Sequence, residues 1–294
     1  MIINDFFKNK FSKNENIFVL DKEDKYTENF SHQWKDFNLV QIDSHNKTTI
    51  SKDYINDLMF NNLDYLKDKN VLEIGCGAGR FTEHLVNFAK FCVSVDLSRS
   101  IFYNVAKDSD NLLLIKSDFL KLISNKKFDI VICRGVLQHT PRPTHSIIKL
   151  FEFVKNDGRV YFDYYKKPKL GRFHPKYFFW RPFISKFFTY SSFKSFLEKN
   201  ISNLIFFKKI IRKIFLNSNF VADCIIPIWD FREDQYKINN NLYKKWTILD
   251  TLDGIFAKFD FPKSNNEILN ILKSNNFKII NNNKKRNFIE AKLN

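Results

Sequence analysis

Short apolar runs alternate with amphipathic segments between residues 68 and 165. This pattern predicts five strands, near 70–75, 91–96, 112–116, 127–133 and 158–164, and helices near 79–89, 98–107 and 143–154. Strands that alternate with helices at this spacing predict a parallel sheet with right-handed crossovers. The sequence therefore predicts an α/β fold in which the carboxyl ends of the strands share one edge of the sheet.

The alternation stops after the fifth predicted strand and returns near the C-terminus, where a helical pattern precedes a hairpin signal. Before the core, the sequence predicts one short strand near 17–20 and a helix from Ser51 to Leu66. Four parts follow from these patterns: an N-terminal extension and lid (1–67), the core (68–164), a helical insertion (165–262), and a last helix and hairpin that complete the sheet (263–294).

Three of the seven glycines in the chain, Gly75, Gly77 and Gly79, lie within five residues directly after the first core strand. Glycine adopts positive φ without steric cost and lets the backbone approach a ligand closely. A helix that starts after such a turn offers free N–H groups to the ligand. The pattern predicts a nucleotide-type cofactor site. Because Arg80 follows Gly79, the G-x-G-x-G spacing differs from the dinucleotide pattern G-x-G-x-x-G.

The segment Leu72–Gly79 resembles the first motif of the class I S-adenosylmethionine (SAM)-dependent methyltransferases. Three later segments resemble further motifs of that family, in the expected order: Ile115–Phe119, Phe128–Thr140 and Lys155–Phe162. The resemblance implies a Rossmann-like fold with a mostly parallel seven-stranded sheet and an antiparallel C-terminal hairpin. It also implies SAM as the cofactor and methyl transfer as the activity.

The candidate cofactor-binding residues cluster at the predicted strand ends. Asp96 ends the second core strand, where a carboxylate can accept hydrogen bonds from two ribose hydroxyls. The resemblance places Asp118 at the adenine. Arg134 follows the fourth strand at the ligand edge of the sheet, where it can contact the cofactor carboxylate or an acidic substrate, with a surface cation as the equal alternative. The full predicted set is Glu73, Gly75, Cys76, Gly77, Gly79, Asp96, Leu97, Asp118, Phe119 and Arg134.

His139 is the candidate catalytic base, because it follows the fourth strand and histidine accepts protons near neutral pH. A purely structural role in that loop is the alternative. No metal site is predicted, since the four cysteines show no C-x-x-C pairing and indicate free thiols in a reducing cytosol.

A narrower resemblance connects the chain to a bacterial methyltransferase group that has an N-terminal Q-W element and a basic helical insertion. The matching segments are Gln33-Trp34, Gln41–Ser44, Trp246–Asp253 and Asp260–Pro262. Gln33 and Trp34 are expected to cover the cofactor as a lid, with an ordinary buried tryptophan as the equal alternative. Lys52 stands where the group often has arginine. The association of this group with cell-surface sugar and secondary-metabolite pathways implies a small-molecule or glycan-precursor acceptor.

The formal net charge of +16 is concentrated in the insertion. Residues 166–216 contain thirteen lysines and arginines and one acid, Glu198. Such a segment predicts either peripheral contact with an anionic membrane or a basic helical cap over the substrate cleft. Nucleic acid is a disfavoured partner because no RNA-reading motif accompanies the basic segment. The absence of a long apolar stretch and of a signal-like N-terminus predicts a cytoplasmic protein. If the basic segment contacts a membrane rather than forming the cap, that contact is expected at the inner membrane face.

Two alternatives to a small-molecule or glycan methyltransferase remain open. A quinone-type C-methyltransferase is one, because Leu137-Gln138-His139 lies in a loop that such enzymes share. The other is a SAM-binding scaffold or regulator without turnover. An NAD-dependent dehydrogenase is disfavoured by Arg80, and a nucleic-acid methyltransferase by the missing N/D-P-P-Y tetrad.

Overall fold

The computed structural model describes residues 3–168, 170–216, 218–230 and 236–294, without the side chains at positions 25, 34 and 172. These residues contain one central sheet. Its strands, in chain order, are Ser12–Asn14 (β1), Ile17–Val19 (β2), Asn70–Ile74 (β3), Phe91–Asp96 (β4), Leu112–Lys116 (β5), Phe128–Cys133 (β6), Val154–Asp163 (β7), Phe277–Asn283 (β8) and Phe288–Leu293 (β9).

Helices pack on both faces of the sheet and over one of its edges. In chain order they are Ile3–Phe6 (α1), Glu28–Phe37 (α2), Asp43–Asn46 (α3), Ile50–Leu58 (α4), Thr82–Phe88 (α5), Pro143–Phe151 (α6), Arg181–Phe187 (α7), Tyr190–Ile214 (α8), Asn219–Ile225 (α9), Asn240–Phe256 (α10) and Asn265–Ser274 (α11).

The strand order is β1-β2-β5-β4-β3-β6-β7-β9-β8. The five strands from β5 to β7 are parallel, and β9 and β8 close the sheet in antiparallel orientation. The predicted α/β Rossmann-like methyltransferase fold is confirmed, and its seven strands are all present. β1 and β2 extend the sheet because Ile17 and Val19 are buried beside β5, where Ile17 lies opposite Leu114.

The helix predicted near 98–107 is only a short 3-10 turn, Arg99–Tyr103. The chain leaves helical geometry at Asn104, whose side chain is held by two hydrogen bonds. Its amide nitrogen donates to Thr82 Oγ1 at 3.2 Å, and its oxygen accepts from the Ala106 N–H at 3.0 Å. These contacts come from residues distant in sequence or in a turn, so the apolar pattern alone does not reveal them.

Both faces of the parallel strands are apolar, as a sheet covered on two sides requires. Leu72 and Ile74 of β3 contribute to the core formed with α1, α6 and α11. Val71, on the opposite face, belongs to the core formed with α4 and α5. Alternation along a single strand therefore separates the two helical layers.

A further core joins the N-terminal extension to the insertion. Phe37, Val40 and Ile50 from the extension pack with buried residues of α7, α8 and α10, including Leu197 and Trp246. The two parts that the sequence separates into 1–67 and 165–262 therefore share one apolar cluster. Because of this packing, the extension and the insertion together form a helical layer beside the core.

Candidate functional site

A cavity of about 730 Å³ lies at the carboxyl edge of the parallel strands. Loops that follow the central strands bring their residues to this edge because the carboxyl ends of parallel strands meet there. The segments 74–77, 95–98, 117–119, 134–136 and 163–166 line its floor. Residues of the N-terminal extension and of the insertion line its other walls.

The glycine turn after β3 has the backbone geometry that the sequence predicts. Gly75, Gly77 and Gly79 have φ values of 80°, 52° and 95°. A Cβ atom on Gly75 would overlap Val136, and one on Gly79 would lie 2.5 Å from Asn104 Oδ1. Gly75 and Gly77 line the cavity, as does Cys76 between them. Gly79 is not among the lining residues and instead allows the 3-10 turn to pack closely.

Asp96 connects two of the loops that form the cavity floor. Its Oδ2 accepts a hydrogen bond from the Gly77 N–H at 2.8 Å. Its Oδ1 accepts from the N–H and the hydroxyl of Ser98, at 2.7 and 2.6 Å. Burial raises the pKa of Asp96, although these hydrogen bonds and the charge of Lys116 oppose that shift. Asp96 and its neighbour Leu97 both line the cavity.

Glu73 lies beneath the glycine turn and does not line the cavity. Its Oε2 accepts hydrogen bonds from Thr82 Oγ1 and Ser94 Oγ, each at 2.7 Å. Its Oε1 is buried and has no hydrogen-bond partner among the described residues. Burial raises the pKa of Glu73 to about 7, against the effect of the two hydroxyl donors. Glu73 therefore ties β3 to β4 and α5 from below.

Asp118 and Phe119 line the cavity at the end of β5. Asp118 Oδ1 accepts from the Leu120 N–H at 3.1 Å, and the Asp118 N–H donates to Asp21 Oδ2 at 3.0 Å. Tyr26 from the extension faces this group. Burial, followed by the nearby carboxylates of Asp118, Asp96 and Asp21, raises the pKa of its phenol. The sequence did not single out Asp21 or Tyr26, because both lie far from the glycine motif.

Two arginines, Arg80 and Arg134, line the part of the cavity that is formed by aromatic side chains. The Arg134 guanidinium lies 4.6 Å from the Tyr54 ring centroid and 4.9 Å from that of Phe81. Arg80 lies 5.0 Å from the same Phe81 ring and 5.4 Å from that of Trp246. Burial and the charge of Arg134 lower the pKa of Arg80 to about 10, so Arg80 remains cationic at neutral pH.

Each of these arginines keeps an unused donor. Arg80 Nε donates to Ser51 Oγ at 3.1 Å and Nη1 donates to Gln41 Oε1 at 2.9 Å. Arg80 Nη2 and Arg134 Nε are buried and have no hydrogen-bond partner among the described residues. Asp163 Oδ2 lies 3.8 Å from Arg134 Nε. The pair can therefore receive an anionic group from a ligand in the cavity.

His139 lies at the same cavity, with 7% of its surface exposed. Its Nδ1 is 2.8 Å from the carbonyl oxygen of Phe259, and its Nε2 is 3.8 Å from Asp253 Oδ1. The ring also makes edge contacts with Phe30 and Tyr165, at centroid distances of 5.2 and 5.3 Å. The predicted base thus faces the cavity from a fixed position.

The segment Trp246–Asp253 supplies more of the site than its resemblance alone suggested. Trp246, Asp250 and Asp253 all line the cavity from α10. Burial raises the pKa of Asp250 to about 8, with the Arg80 charge opposing the shift and Asp253 adding to it. Asp260, which follows α10, instead pairs with Lys176 at 2.8 Å and positions a neighbouring loop.

The extension meets the glycine turn through polar contacts. Gln41 lines the cavity and receives Arg80, whereas Asp43 accepts from the N–H groups of Ser51 and Lys52 at the start of α4, at 3.1 and 2.9 Å. The Lys52 side chain is exposed and is absent from the cavity lining. The signal that could have identified Arg80 was its place directly after the glycine turn.

Gln33 does not line the cavity, in contrast to the expectation that it covers the cofactor. Gln33 is buried, and its side-chain nitrogen donates to the Leu249 carbonyl at 3.2 Å, away from the cavity lining. The side chain of Trp34 lies outside the described residues. Tyr26, Thr27 and Phe30 line the cavity from the extension instead. Gln33 is absent from the cavity lining because the side of α2 that carries it packs against α10.

The insertion exposes many large apolar side chains. No helix in the described part of the chain is long and apolar enough to span a membrane. Residues 193, 197, 201 and 205 of α8 face its core, and other positions on the same helix point to solvent. The exposed apolar side chains of the insertion include Phe173, Phe178, Phe179, Phe183, Phe187, Phe196, Phe206, Phe207, Ile210, Ile214, Phe215 and Leu216.

Comparison with known proteins gives consistent matches. Residues 48–200 match the family described as "Methyltransferase domain". A ubiquinone biosynthesis O-methyltransferase of Coxiella burnetii is 29% identical over 103 residues, which are 33% of this chain and 44% of that protein. The corresponding protein of Glaesserella parasuis is 31% identical over 119 residues, 37% of this chain and 48% of that protein. The chain thus spans about half the length of these curated relatives.

Among solved structures, magnesium protoporphyrin IX methyltransferase from Synechocystis, crystallised with S-adenosylhomocysteine, aligns over 83% of both chains, at 13% identity and a TM-score of 0.45. The family match covers just over half of this chain, including the glycine turn and the strands that carry Asp96, Asp118 and His139. The chain belongs to the methyltransferase domain family, the class I SAM-dependent methyltransferases that its sequence resembles.

Proposed function

We propose that the protein is a SAM-dependent methyltransferase that acts on a small-molecule or glycan-precursor acceptor. The observation that carries this proposal is the cavity at the carboxyl edge of the sheet. There the Gly77 N–H of the glycine turn donates to Asp96 Oδ2 at 2.8 Å, and Gly77, Asp96 and Ser98 all line the cavity. The family membership supports the same activity.

The cavity residues fit the parts of this cofactor. Asp96 would accept hydrogen bonds from the ribose, and Asp118 with Phe119 would hold the adenine. Arg80 and Arg134 would bind the methionine carboxylate through their unused buried donors, Nη2 and Nε. Gly75, Cys76 and Gly77 would bring backbone against the ligand, while Glu73 and Gly79 support the turn from outside the cavity.

SAM supplies an electrophilic methyl group on a sulfonium. The protein contributes binding, orientation and exclusion of water. His139 lies on the wall formed with α10 and Tyr165, so an acceptor on that side would meet its imidazole. The helical layer from the extension and the insertion would act as the substrate cap, since its residues close the cavity opposite the strand ends.

The experiment that tests this function is calorimetric titration with SAM, S-adenosylhomocysteine and NAD. We expect micromolar binding of the first two and no binding of NAD. Formation of S-adenosylhomocysteine in the presence of an acceptor would then separate an enzyme from a SAM-binding scaffold. Absence of binding by SAM and S-adenosylhomocysteine would contradict the proposal.

A quinol acceptor is the second candidate. The curated relatives carry the name ubiquinone biosynthesis O-methyltransferase, and aromatic side chains line the acceptor side of the cavity, among them Tyr165, Tyr177 and Trp229. Product analysis by mass spectrometry and NMR would distinguish O-methylation from the C-methylation of a quinone-type enzyme. Methylation of sugar precursors but not of quinols would contradict this candidate.

We also propose that the insertion makes peripheral contact with an anionic membrane from the cytoplasmic side. The exposed phenylalanines lie in the segment 166–216, which contains thirteen basic residues and only one acidic residue. Aromatic side chains can enter the headgroup region while lysines and arginines attract anionic lipids. The observation that favours this contact is the exposure of Phe206 and Phe207, 59% and 54%, on the basic helix α8.

Sedimentation with vesicles tests this contact. Vesicles that contain phosphatidylglycerol should retain the protein at low salt, and vesicles of phosphatidylcholine alone should not. The double variant Phe206→Ser with Phe207→Ser should lose retention. The matched control Tyr103→Ser changes an exposed aromatic outside the insertion and should behave as wild type. Sedimentation of the same fraction of protein with vesicles that contain phosphatidylglycerol and with vesicles that lack it would contradict the membrane contact.

A further inference from the structure

We infer that His139 and Asp253 form a proton-accepting pair, and that the acceptor presents a hydroxyl group to it. In this pair His139 is the base and Asp253 is a positioning residue. The inference rests on the proposed methyl transfer and deepens it by naming the acceptor chemistry. It depends on the relation between β6, which carries the His139 loop, and α10, which carries Asp253.

The tautomer of His139 follows from its neighbours. A carbonyl oxygen can only accept, so the 2.8 Å contact with the Phe259 carbonyl places a hydrogen on Nδ1. In the neutral ring Nε2 then carries the lone pair. The edge contacts with Phe30 and Tyr165 hold the ring plane, so Nε2 keeps its direction. A base with a fixed lone pair is thereby provided at the cavity.

The lone pair of His139 faces a second acceptor. Nε2 and Asp253 Oδ1 are 3.8 Å apart, which exceeds hydrogen-bond distance. Both atoms are buried, and neither has a hydrogen-bond partner among the described residues. A buried acceptor without a donor is costly, and here two such acceptors converge beside one cavity. A ligand that brings a donor hydrogen would satisfy them.

A hydroxyl acceptor uses this arrangement fully. As its oxygen forms a bond to the methyl carbon, the methyl–sulfur bond breaks and its electron pair stays on sulfur. The O–H bond also breaks, its electron pair stays on oxygen, and the proton passes to His139 Nε2. The imidazolium that results pairs with Asp253, and Tyr165, whose hydroxyl lies 3.4 Å from Asp253 Oδ2, supports that carboxylate.

Other acceptor groups use the pair less well. An anionic acceptor such as a carboxylate would approach Asp253 against its negative charge. A neutral amine can attack before it loses a proton, so it needs no base during the transfer. A hydroxyl oxygen becomes a good nucleophile as its proton leaves, and therefore gains most from a base with a carboxylate behind it.

The groups that face His139 come from three elements. Asp253 lies on α10, Asp260 follows it, and Asp163 and Tyr165 stand at the end of β7. Asp260 is engaged by Lys176 and Arg181, at 2.8 and 3.1 Å, and Asp163 Oδ1 accepts from the Gly135 N–H. Asp260 Oδ1 has no hydrogen-bond partner among the described residues either, but Asp253 is the carboxylate that lies within 4 Å of His139 Nε2, at 3.8 Å, so it is the one placed to pair with the imidazolium.

The test is direct observation of the His139 ring by nitrogen NMR in protein labelled at its six histidines, with His139→Gln to assign the signal. In Asp253→Asn the pH profile of the His139 nitrogen signals should move to lower pH, because an opposite charge is lost. Asp253→Glu should restore it. The control Asp250→Asn, one helical turn away on α10, should change it much less. Equal pH profiles in wild type and Asp253→Asn would overturn the pair.

Methylation of two probes tests the acceptor chemistry. Catechol offers hydroxyls, and o-phenylenediamine offers amines on the same ring. We expect methylation of catechol, with kcat about 10- to 100-fold lower in Asp253→Asn and KM within threefold of wild type. Preference for the diamine, unchanged by His139→Gln, would overturn the hydroxyl assignment. S-adenosylhomocysteine affinity should be equal in wild type and Asp253→Asn, and failure of wild type to bind it would instead refute the proposed function.

Discussion

Replacing Arg80 with glutamine tests where the cavity holds the acidic end of the cofactor. The structure leaves Arg80 Nη2 buried without a described hydrogen-bond partner, while Nε and Nη1 are used by Ser51 and Gln41. Because the pKa of Arg80 is about 10, its charge persists at neutral pH despite burial. The variant removes this charge and donor but keeps a polar side chain.

A hydrogen bond to a charged group contributes about 1.5–3 kcal/mol. Loss of that amount weakens binding about 10- to 150-fold at 25 °C. We expect this loss for S-adenosylhomocysteine in Arg80→Gln, measured by calorimetry. 5′-Methylthioadenosine has the adenosine and the thioether but lacks the amino-acid carboxylate, so its affinity should change less than threefold.

The comparison of the two ligands separates a binding role from a structural one. If Arg80 only holds Ser51 and Gln41 in place, both ligands should weaken by the same factor, and the reasoning is refuted. Arg286→Gln is a matched control, because Arg286 also lines the cavity but its Nη2 lies 3.5 Å from Asp57 Oδ2. We expect that control to change neither affinity by more than threefold.

Three stability predictions concern the supports of the site. Gly79→Ala should lower the free energy of unfolding by about 2–4 kcal/mol in urea titration, since it adds positive-φ strain and a clash with Asn104. Gly171→Ala should lower it by about 1 kcal/mol, because it adds positive-φ strain but its Cβ would meet Lys167 Cε only at 3.8 Å. The pKa of Glu73 is raised to about 7 in the folded state, so the wild type should lose stability as the pH rises from 4.5 to 7. Glu73→Gln should therefore be about 3 kcal/mol more stable than wild type above pH 7 and equal to it below pH 4.5. A stability difference between variant and wild type that does not change with pH across that range would contradict this. Lys208→Met should cost about 3–5 kcal/mol, because the buried ammonium lies 2.6 Å from Asp223 and 3.1 Å from Asp230; an unchanged urea midpoint would show that the pair contributes nothing.

The core sheet could be predicted from the sequence because its signals are local. The five parallel strands are continuous apolar runs, and each keeps its place within about four residues of the prediction. The glycine turn and Asp96 follow from residue type and spacing, since positive φ and a strand-end carboxylate are properties of a few adjacent positions. β1 is missed because Ser12–Asn14 is exposed and has no apolar pattern.

The cavity walls that the extension and the insertion form depend on contacts between segments that are distant in sequence. Arg80 meets Gln41 across 39 positions, and His139 meets Phe259 across 120. Tyr26 has no local signal of function, since it is an ordinary residue of a short turn, and the resemblance of the segment Trp246–Asp253 assigned no role to Asp253. Their roles appear only when α2 and α10 pack together over the strand ends.

The sequence by itself determined the α/β core, the order of its strands along the chain, the glycine turn and the loop positions of Asp96, Asp118 and His139. These features depend on the period of apolar residues and on backbone freedom at single positions. Only the tertiary structure decided which side chains line the cavity. It places Glu73 and Gly79 outside the cavity and brings Arg80, Tyr26 and Asp253 into it. The physical reason is that burial and charge pairing depend on helices from the extension and the insertion, which share one core despite their separation in sequence.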